Sequence, residues 1–311
     1  MEKIWPKLIF IFCLVTLLVW LIVYKLPDNK LHLIFCNVGQ GDAILLTYRT
    51  TQILIDGGPN SQVLSCLSKF IPFWDRQIEA VFLTHLESDH ATGLVKVLEQ
   101  YEVGTFITTP LDNSTSLAKV LEQTLIDKQV PTKLIDSNSD FRFGLISLDT
   151  IWPTPQFLTQ AKLSSNCSAQ NVNSSTVSYS PSAIGPKVLG CFTSSRLNDY
   201  SLVFHLKFND FDALLPGDAD SGIQDKLLSS VQITPVEVLK FPHHGSKTGI
   251  TDEFLKALSP QLAVISVGKN SYGHPSPQVL DQLTQKGINF LRTDQAGDIE
   301  IITDGHTWQI K

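Results

Sequence analysis

The sequence predicts an α/β body preceded by one N-terminal transmembrane helix, and three patterns carry that prediction. An uncharged apolar run opens the chain, strand-like runs bounded by polar turns follow, and helix-like segments then alternate with strands. Leu8 to Tyr24 holds no charged residue, and its 17 positions lie at the short end of the ~17–25 that span a bilayer. Lys7 and Lys25 suit the headgroups, and Trp5 and Tyr24 the interfaces. Lys3 and Lys7 would also fit a cleaved signal, but no A-x-A-like site follows. Residues 1–30 are therefore expected to be a membrane anchor and linker, single-pass in the cell membrane, with the body outside the cytoplasm.

Residues 31–311 are expected to form the body. Leu31 to Val38, Ala43 to Tyr48 and Ile53 to Asp56 read as a hairpin meander broken by Gly, Asn and Asp. A helix is expected around Gln62 to Lys69, a strand at Ala80 to Thr84, a helix from about Gly93 to Gln100 and another at Leu117 to Asp127. Residues 154–195 break the rhythm: this Ser/Asn-rich stretch reads as a surface insertion or lid, within which Cys167 and Cys191 could pair. Strands then recur at Ser201 to Phe208, Ala213 to Pro216, Glu237 to Phe241, Leu262 to Gly268, Asp298 to Ile302 and Thr307 to Ile310, with a helix near Pro277 to Lys286.

Composition excludes several classes. Only 17% of the 311 residues are charged, against about 25% in ordinary domains, which argues against a disordered tail. Five Cys with no C-x-x-C pair make neither a disulfide scaffold nor a zinc ribbon. A net charge of −6 means that a polyanion would be held by specific groups and not by a basic surface. There is no P-loop, G-x-G-x-x-G or G-x-S-x-G pattern.

Chemistry concentrates at strand ends. The sharpest signal is His85, Glu87, Asp89 and His90, directly after the strand Ala80 to Leu83 and before a helix. Two imidazoles and two carboxylates leaving a strand together suit Zn, Mn or Fe. Asp56, Asp218, the pair His243 and His244, and His274 stand at four further strand exits. Taken singly, each has a plainer reading, such as an Asp-Gly turn, a helix N-cap or a histidine in a turn. Their shared position at strand ends points to one site at one sheet edge. His32, His205 and His306 lie in or beside strands without neighbouring ligand types, and read as structural.

The order Asp-Gly-Gly, H-x-[HED]-x-D-H, Gly-Asp and His-His-Gly-Ser resembles the metallo-β-lactamase superfamily. Within it, NVGQGDAILL (37–46), NDYSLV (198–203), LLPGDAD (214–220), FPHHGSK (241–247) and SYGHP (271–275) are similar to the hydrolase domain of ComEC-type DNA-uptake proteins. The resemblance implies a four-layer αββα sandwich and a metal-dependent hydrolase, a phosphodiesterase or nuclease, with one or two divalent ions, Zn or Mn. It assigns His85 and Glu87 to one ion and Asp89 and His90 to the other. Asp218 would bridge them, with a further ligand from His243 and His244. Asp89 would also orient or deprotonate water, and His274, or whichever of His243 and His244 is free, would protonate the leaving group. Ser246, Lys247 and the segment around Asn198 would meet the substrate. Asn37 stands where the family has Asp, and Glu87 where it commonly has His or Asp. The implied partners are a phosphodiester such as single-stranded DNA, and the membrane. Two other readings share these motifs: a hydrolase of another phosphoester or a cell-wall ester, and a non-catalytic binding module. A β-lactamase proper is disfavoured, because Glu87 replaces a histidine.

Overall fold

The computed structural model describes residues 4–24, 27–112, 115–164, 191–192, 196–230 and 233–311. The chain begins with α1 (Trp5–Tyr24), β1 (Leu31–Phe35), β2 (Ile44–Tyr48), β3 (Thr51–Ile55), α2 (Gln62–Phe70), β4 (Gln77–Ile78), β5 (Ala80–Leu83), α3 (Ser88–Gln100) and β6 (Glu102–Val103). It continues with β7 (Phe106–Thr108), β8 (Leu111–Asp112), α4 (Ser116–Asp127), β9 (Thr132–Leu134), β10 (Asp140–Phe143), β11 (Ile146–Trp152), α5 (Pro155–Ser164) and β12 (Cys191–Phe192). The last elements are β13 (Val203–Phe208), β14 (Phe211–Leu215), α6 (Ser221–Ser230), β15 (Val238–Lys240), α7 (Asp252–Leu258), β16 (Leu262–Ile265), α8 (Pro277–Gln285), β17 (Asn289–Arg292), α9 (Thr293–Ala296), β18 (Ile299–Thr303) and β19 (Trp308–Ile310).

Two sheets form the frame. One has the order β19-β18-β1-β2-β3-β5-β7-β9, the other β10-β11-β13-β14-β15-β16-β17. Each is antiparallel over its first strands and parallel from β3 or β14 onward. Period-two alternation explains the layering. Leu31, Leu33 and Phe35 of β1 enter the core between the sheets, where they meet Phe204, Leu206 and Phe208 of β13. Ile34 points the other way, towards Val63 and Leu67 of α2 and Leu94 and Val97 of α3. On the far side Ile223 and Leu227 of α6, Phe254 of α7 and Leu283 of α8 cover the second sheet. The result is an αββα sandwich, and the chain leaves its parallel strands β3, β5, β14, β15 and β16 at the edge that carries the site.

The structure bears on several of the expectations from the sequence. The helix expected from Gly93 starts at Ser88, so Asp89 and His90 lie in its first turn and not in a loop. The N-terminal run is helical over Trp5–Tyr24. Nevertheless, among the described residues no helix is long and apolar enough to cross a membrane. The 154–195 stretch begins as helix α5, and its residues 165–190 and 193–195 lie outside the described set, with them Cys167 and its expected pairing. A disulfide that the sequence did not suggest forms between Cys36 and Cys66, which are 30 residues apart. It ties the exit of β1 to α2.

Candidate metal centre

Asp56 sets up the centre from behind. It closes β3 in a left-handed conformation, φ 60°, which a non-glycine residue adopts at a cost unless its surroundings hold it there. What holds it is a fully used carboxylate. Oδ1 accepts from the Thr84 amide at 2.8 Å, and Oδ2 accepts from the Thr84 hydroxyl and from His90 Nδ1, both at 2.8 Å. Because the Thr84 hydroxyl donates to Asp56, its oxygen is left to accept from His85 Nδ1 at 3.1 Å. His244 Nδ1 likewise donates to the carbonyl of Ser266 at 2.9 Å.

Three buried imidazoles therefore have Nδ1 engaged and Nε2 turned inward without a partner. Oxygen acceptors that fix the tautomer and the ring plane in this way are the usual support of metal-bound histidine. Facing those nitrogens is Asp218, whose Oδ2 lies 3.4 Å from both His90 Nε2 and His244 Nε2. Asp89 Oδ2 is 3.4 Å from His244 Nε2, and the His85 and His90 rings are 4.2 Å apart. The imidazoles of His90 and His244 with the carboxylates of Asp218 and Asp89, and His85 beside them, make a donor set that fits a divalent ion such as Zn or Mn.

Asp42, His90, Asp218 and His244 each offer a donor atom within 4.8 Å of the others. Asp42 nevertheless approaches from the wrong side for a ligand. Its oxygens are 3.8 Å from the Nδ1 atoms of His90 and His244, which are already committed. Its partner is Lys240, a fully buried ammonium at the end of β15. Lys240 also donates to the Gly217 carbonyl at 2.7 Å and lies 3.4 Å from Asp218 Oδ1. Lys240 and Asp42 thus form a charged layer behind the imidazoles of His90 and His244.

Charge follows this arrangement. Burial opposes the imidazolium of His244, yet Asp218 and Asp42 outweigh it and raise its pKa to about 10. His90 is raised in the same way by Asp218 and Asp56 against its burial. Asp218 sits well below the usual carboxylate range: burial works against its charge, but His244, His90 and Lys240 prevail. His85 goes the other way, pushed down by burial and by His90. Glu87, the residue before α3, is raised by burial, with Asp89 and Asp218 adding to the effect.

Geometry separates the remaining predicted residues. His243 and His244 both adopt left-handed backbone, φ 50° and 53°, which turns them in different directions. His244 is buried, whereas His243 is 26% exposed at the rim, its Nε2 4.0 Å from Asp218 and its Nδ1 3.7 Å from Asp220. His274 is half-buried, with its ring 5.7 Å from that of His243; burial and the neighbouring imidazoles lower its pKa. The Ser246 hydroxyl is engaged with Thr248 at 3.2 Å and not turned to the site, and Lys247 is exposed. Asn198 is buried in a short 3-10 turn, Leu197–Tyr200. The next residue after that turn, Ser201, accepts from the Asp218 amide at 3.1 Å. Gly217 permits this approach: it has φ +53°, and a Cβ there would lie 2.2 Å from Ser201 Oγ.

Sequence reasoning assigned no role to Asp42 or Lys240. Asp42 stood in the quoted Gly-Gln-Gly-Asp motif, and Lys240 was visible as one cation inside the apolar run Glu237 to Phe241. A buried charge of that kind requires a partner.

Residues 51–179 match the family model of the Beta-lactamase superfamily domain. That match and the αββα fold agree with the resemblance to the metallo-β-lactamase superfamily carried by the motifs. Three named proteins are similar to parts of the chain. The chain is 38% identical over 104 residues to ComE operon protein 3 of Bacillus subtilis, which is 33% of this chain and 13% of that protein. It is 34% identical over 105 residues to Competence protein ComA of Neisseria gonorrhoeae, 33% of this chain and 15% of that one. Recombination protein 2 of Haemophilus influenzae aligns at 22% identity over 270 residues, 85% of this chain and 28% of that protein. The chain therefore spans less than a third of the length of each of these relatives.

Proposed function

We propose that this chain is a metal-dependent phosphodiesterase that cleaves DNA strands and is held at the outer side of the cell membrane. The observation that carries the reading is the convergence of the buried Nε2 atoms of His90 and His244 on Asp218, with Asp89 beside His244 and the His85 ring beside His90, at the open edge of the sandwich. The competence proteins among its relatives support DNA as the substrate.

His85, His90, His244, Asp89 and Asp218 would hold the ion, with Glu87 and His243 at its margin. Bound there, a divalent ion supplies positive charge to the oxygens of an attacked phosphodiester and acidifies water. The chain's own groups do the rest. Asp89, 3.4 Å from His244, orients the attacking water and takes its proton. His274 faces the rim beside His243 and hands a proton to the departing oxygen. Lys240 sits behind Asp218, 3.4 Å from Oδ1, while Oδ2 faces the imidazoles. Lys247 meets substrate phosphate from outside.

The test joins metal content with cleavage of bis-(p-nitrophenyl) phosphate and single-stranded DNA in Mn and Zn. Purified protein is expected to carry at least one equivalent of metal, and Asp89→Ala and Asp218→Ala to lose cleavage with the fold retained by circular dichroism. Activity surviving in both variants would refute the reading, and well under one equivalent of metal would favour a binding module.

Membrane placement rests on α1, whose Trp5, Phe10, Phe12 and Trp20 stand 68–71% exposed, an apolar surface that lipid would cover. The Cys36–Cys66 disulfide supports an oxidising compartment for the body. Release of the full chain from membranes by alkaline carbonate would overturn this placement.

A further inference from the structure

Beside the centre stands a large aromatic side chain that the hydrolytic chemistry does not use. Tyr272 is 75% exposed, yet the loop that presents it is firmly built. Asn270 Oδ1 accepts from the amides of Tyr272 and His274, each at 3.0 Å, and its Nδ2 donates to the carbonyls of Gly268 and His274, each at 2.8 Å. The Gly268 amide donates to Gln40 Oε1 at 3.2 Å, and the Ser276 amide to the Gly245 carbonyl at 2.8 Å. Both ends of the loop are thus fastened to segments that carry site residues, Asp42 on one side and His243 and His244 on the other. The braced loop thus holds its largest ring in water at a fixed place, where it can stack against a ligand.

The ring's neighbours indicate what kind of ligand. The Tyr272 and His274 rings lie 5.7 Å apart and tilted by 32°, and the His274 ring is 5.7 Å from that of His243, whose Nε2 is 4.0 Å from Asp218. An aromatic series therefore runs from solvent to the metal ligands. Next to Tyr272, nothing lies within 4 Å of where a Cβ on Gly273 would stand, so the face of the loop is open. A flat ring can stack there while its attached phosphodiester reaches the centre. A quaternary ammonium group is a poorer fit, because its usual receptor is a cage of several aromatic rings. Among the described residues the only ring contact of Tyr272 is with His274.

We propose that Tyr272 is a stacking platform for a nucleobase adjoining the scissile phosphate, and that through it the site takes unpaired strands by base stacking and not by sequence. This rests on the reading of the centre as a DNA phosphodiesterase. Unpaired bases offer a π-face whatever their identity, and a stacked aromatic is sequence-tolerant for that reason.

The experiment compares oligothymidylate with a chain of the same length whose bases are replaced by abasic tetrahydrofuran residues, so that backbone charge is equal. The metal-loaded full chain is expected to show a KM about tenfold lower for the base-bearing strand, the scale of one base–aromatic stack. In Tyr272→Ala the two KM values should converge, in Tyr272→Phe the preference should persist, and in Tyr272→Trp the indole fluorescence should be quenched by oligothymidylate but not by the abasic chain. Cleavage of both strands without preference in the wild type, or a preference retained in Tyr272→Ala, overturns the platform and leaves the hydrolase standing. Failure of the metal-loaded wild type to cleave either strand overturns both.

Discussion

Replacing Lys240 by Met tests the layer of charge behind the ligands. The ammonium is fully buried, is ion-paired with Asp42, lies 3.4 Å from Asp218 and donates to Gly217 at 2.7 Å. Met has similar length and no charge, so packing is largely kept while two buried carboxylates lose their cation. Removing one partner of a buried pair costs about 3–5 kcal/mol, chiefly because the other charge stays behind without compensation. For a body of about 280 residues the unfolding entropy is roughly 0.6 kcal/mol/K, so the metal-free variant should melt about 5–8 °C below the wild type. Metal should act in the opposite sense. A cation that close to Asp218 repels a divalent ion held by the same carboxylate, so Lys240→Met should bind the ion more tightly and gain more stability from it. Calorimetry in chelator and in saturating Mn or Zn reads both effects. A metal-free melting temperature within about 2 °C of wild type, or a smaller metal-induced rise in the variant, would refute the reasoning.

Two further predictions concern the frame. The Cys36–Cys66 bond closes a loop of 30 residues, worth about 3.5 kcal/mol by chain entropy and about 6 °C in melting temperature. Reductant should lower the wild type to the level of Cys36→Ser and leave that variant unmoved; equal melting with and without reductant would count against it. His32 lies between Glu300 at 2.7 Å and Asp28 at 3.0 Å. Burial lowers its pKa, but hydrogen bonds to these two carboxylates outweigh burial and raise it above the usual value. A raised folded-state pKa gives stability that is full below the unfolded value of about 6.5 and is lost as pH rises through the folded one. His32→Gln should therefore cost about 1 kcal/mol or less near pH 6 and nothing by pH 9. A cost independent of pH in urea titrations would contradict this.

The sequence announced the site more fully than its supports, for a physical reason. His85, Asp89, His90, Asp218 and His244 are polar groups where apolar strands stop, and that contrast is local. The first turn of α3 was missed because apolar periodicity becomes clear only at Leu94, whereas the helix is entered from Glu87 with Asp89 near its positive end. Asp42 and Lys240 meet across almost 200 positions, and nothing local in either segment announces the pairing. The same holds for Cys36 and Cys66: five cysteines permit many pairings, and only the packing of α2 on the exit of β1 selects this one.

The buried charges also revise what a net charge of −6 means for a polyanion substrate. Asp42, Asp56 and Asp218 are each at most 2% exposed, and each faces a group of opposite sign or a proton donor: Lys240, His90 or His244. Their charge is spent inside the sandwich and reaches solvent weakly. The side chains around the site that meet water are His243, His274, Lys247 and Tyr272, with Glu87 and Asp89 partly exposed. A divalent ion would add positive charge at that point. The overall acidity is therefore compatible with an edge that receives phosphate, because the carboxylates that produce much of it are the ones the centre has turned inward.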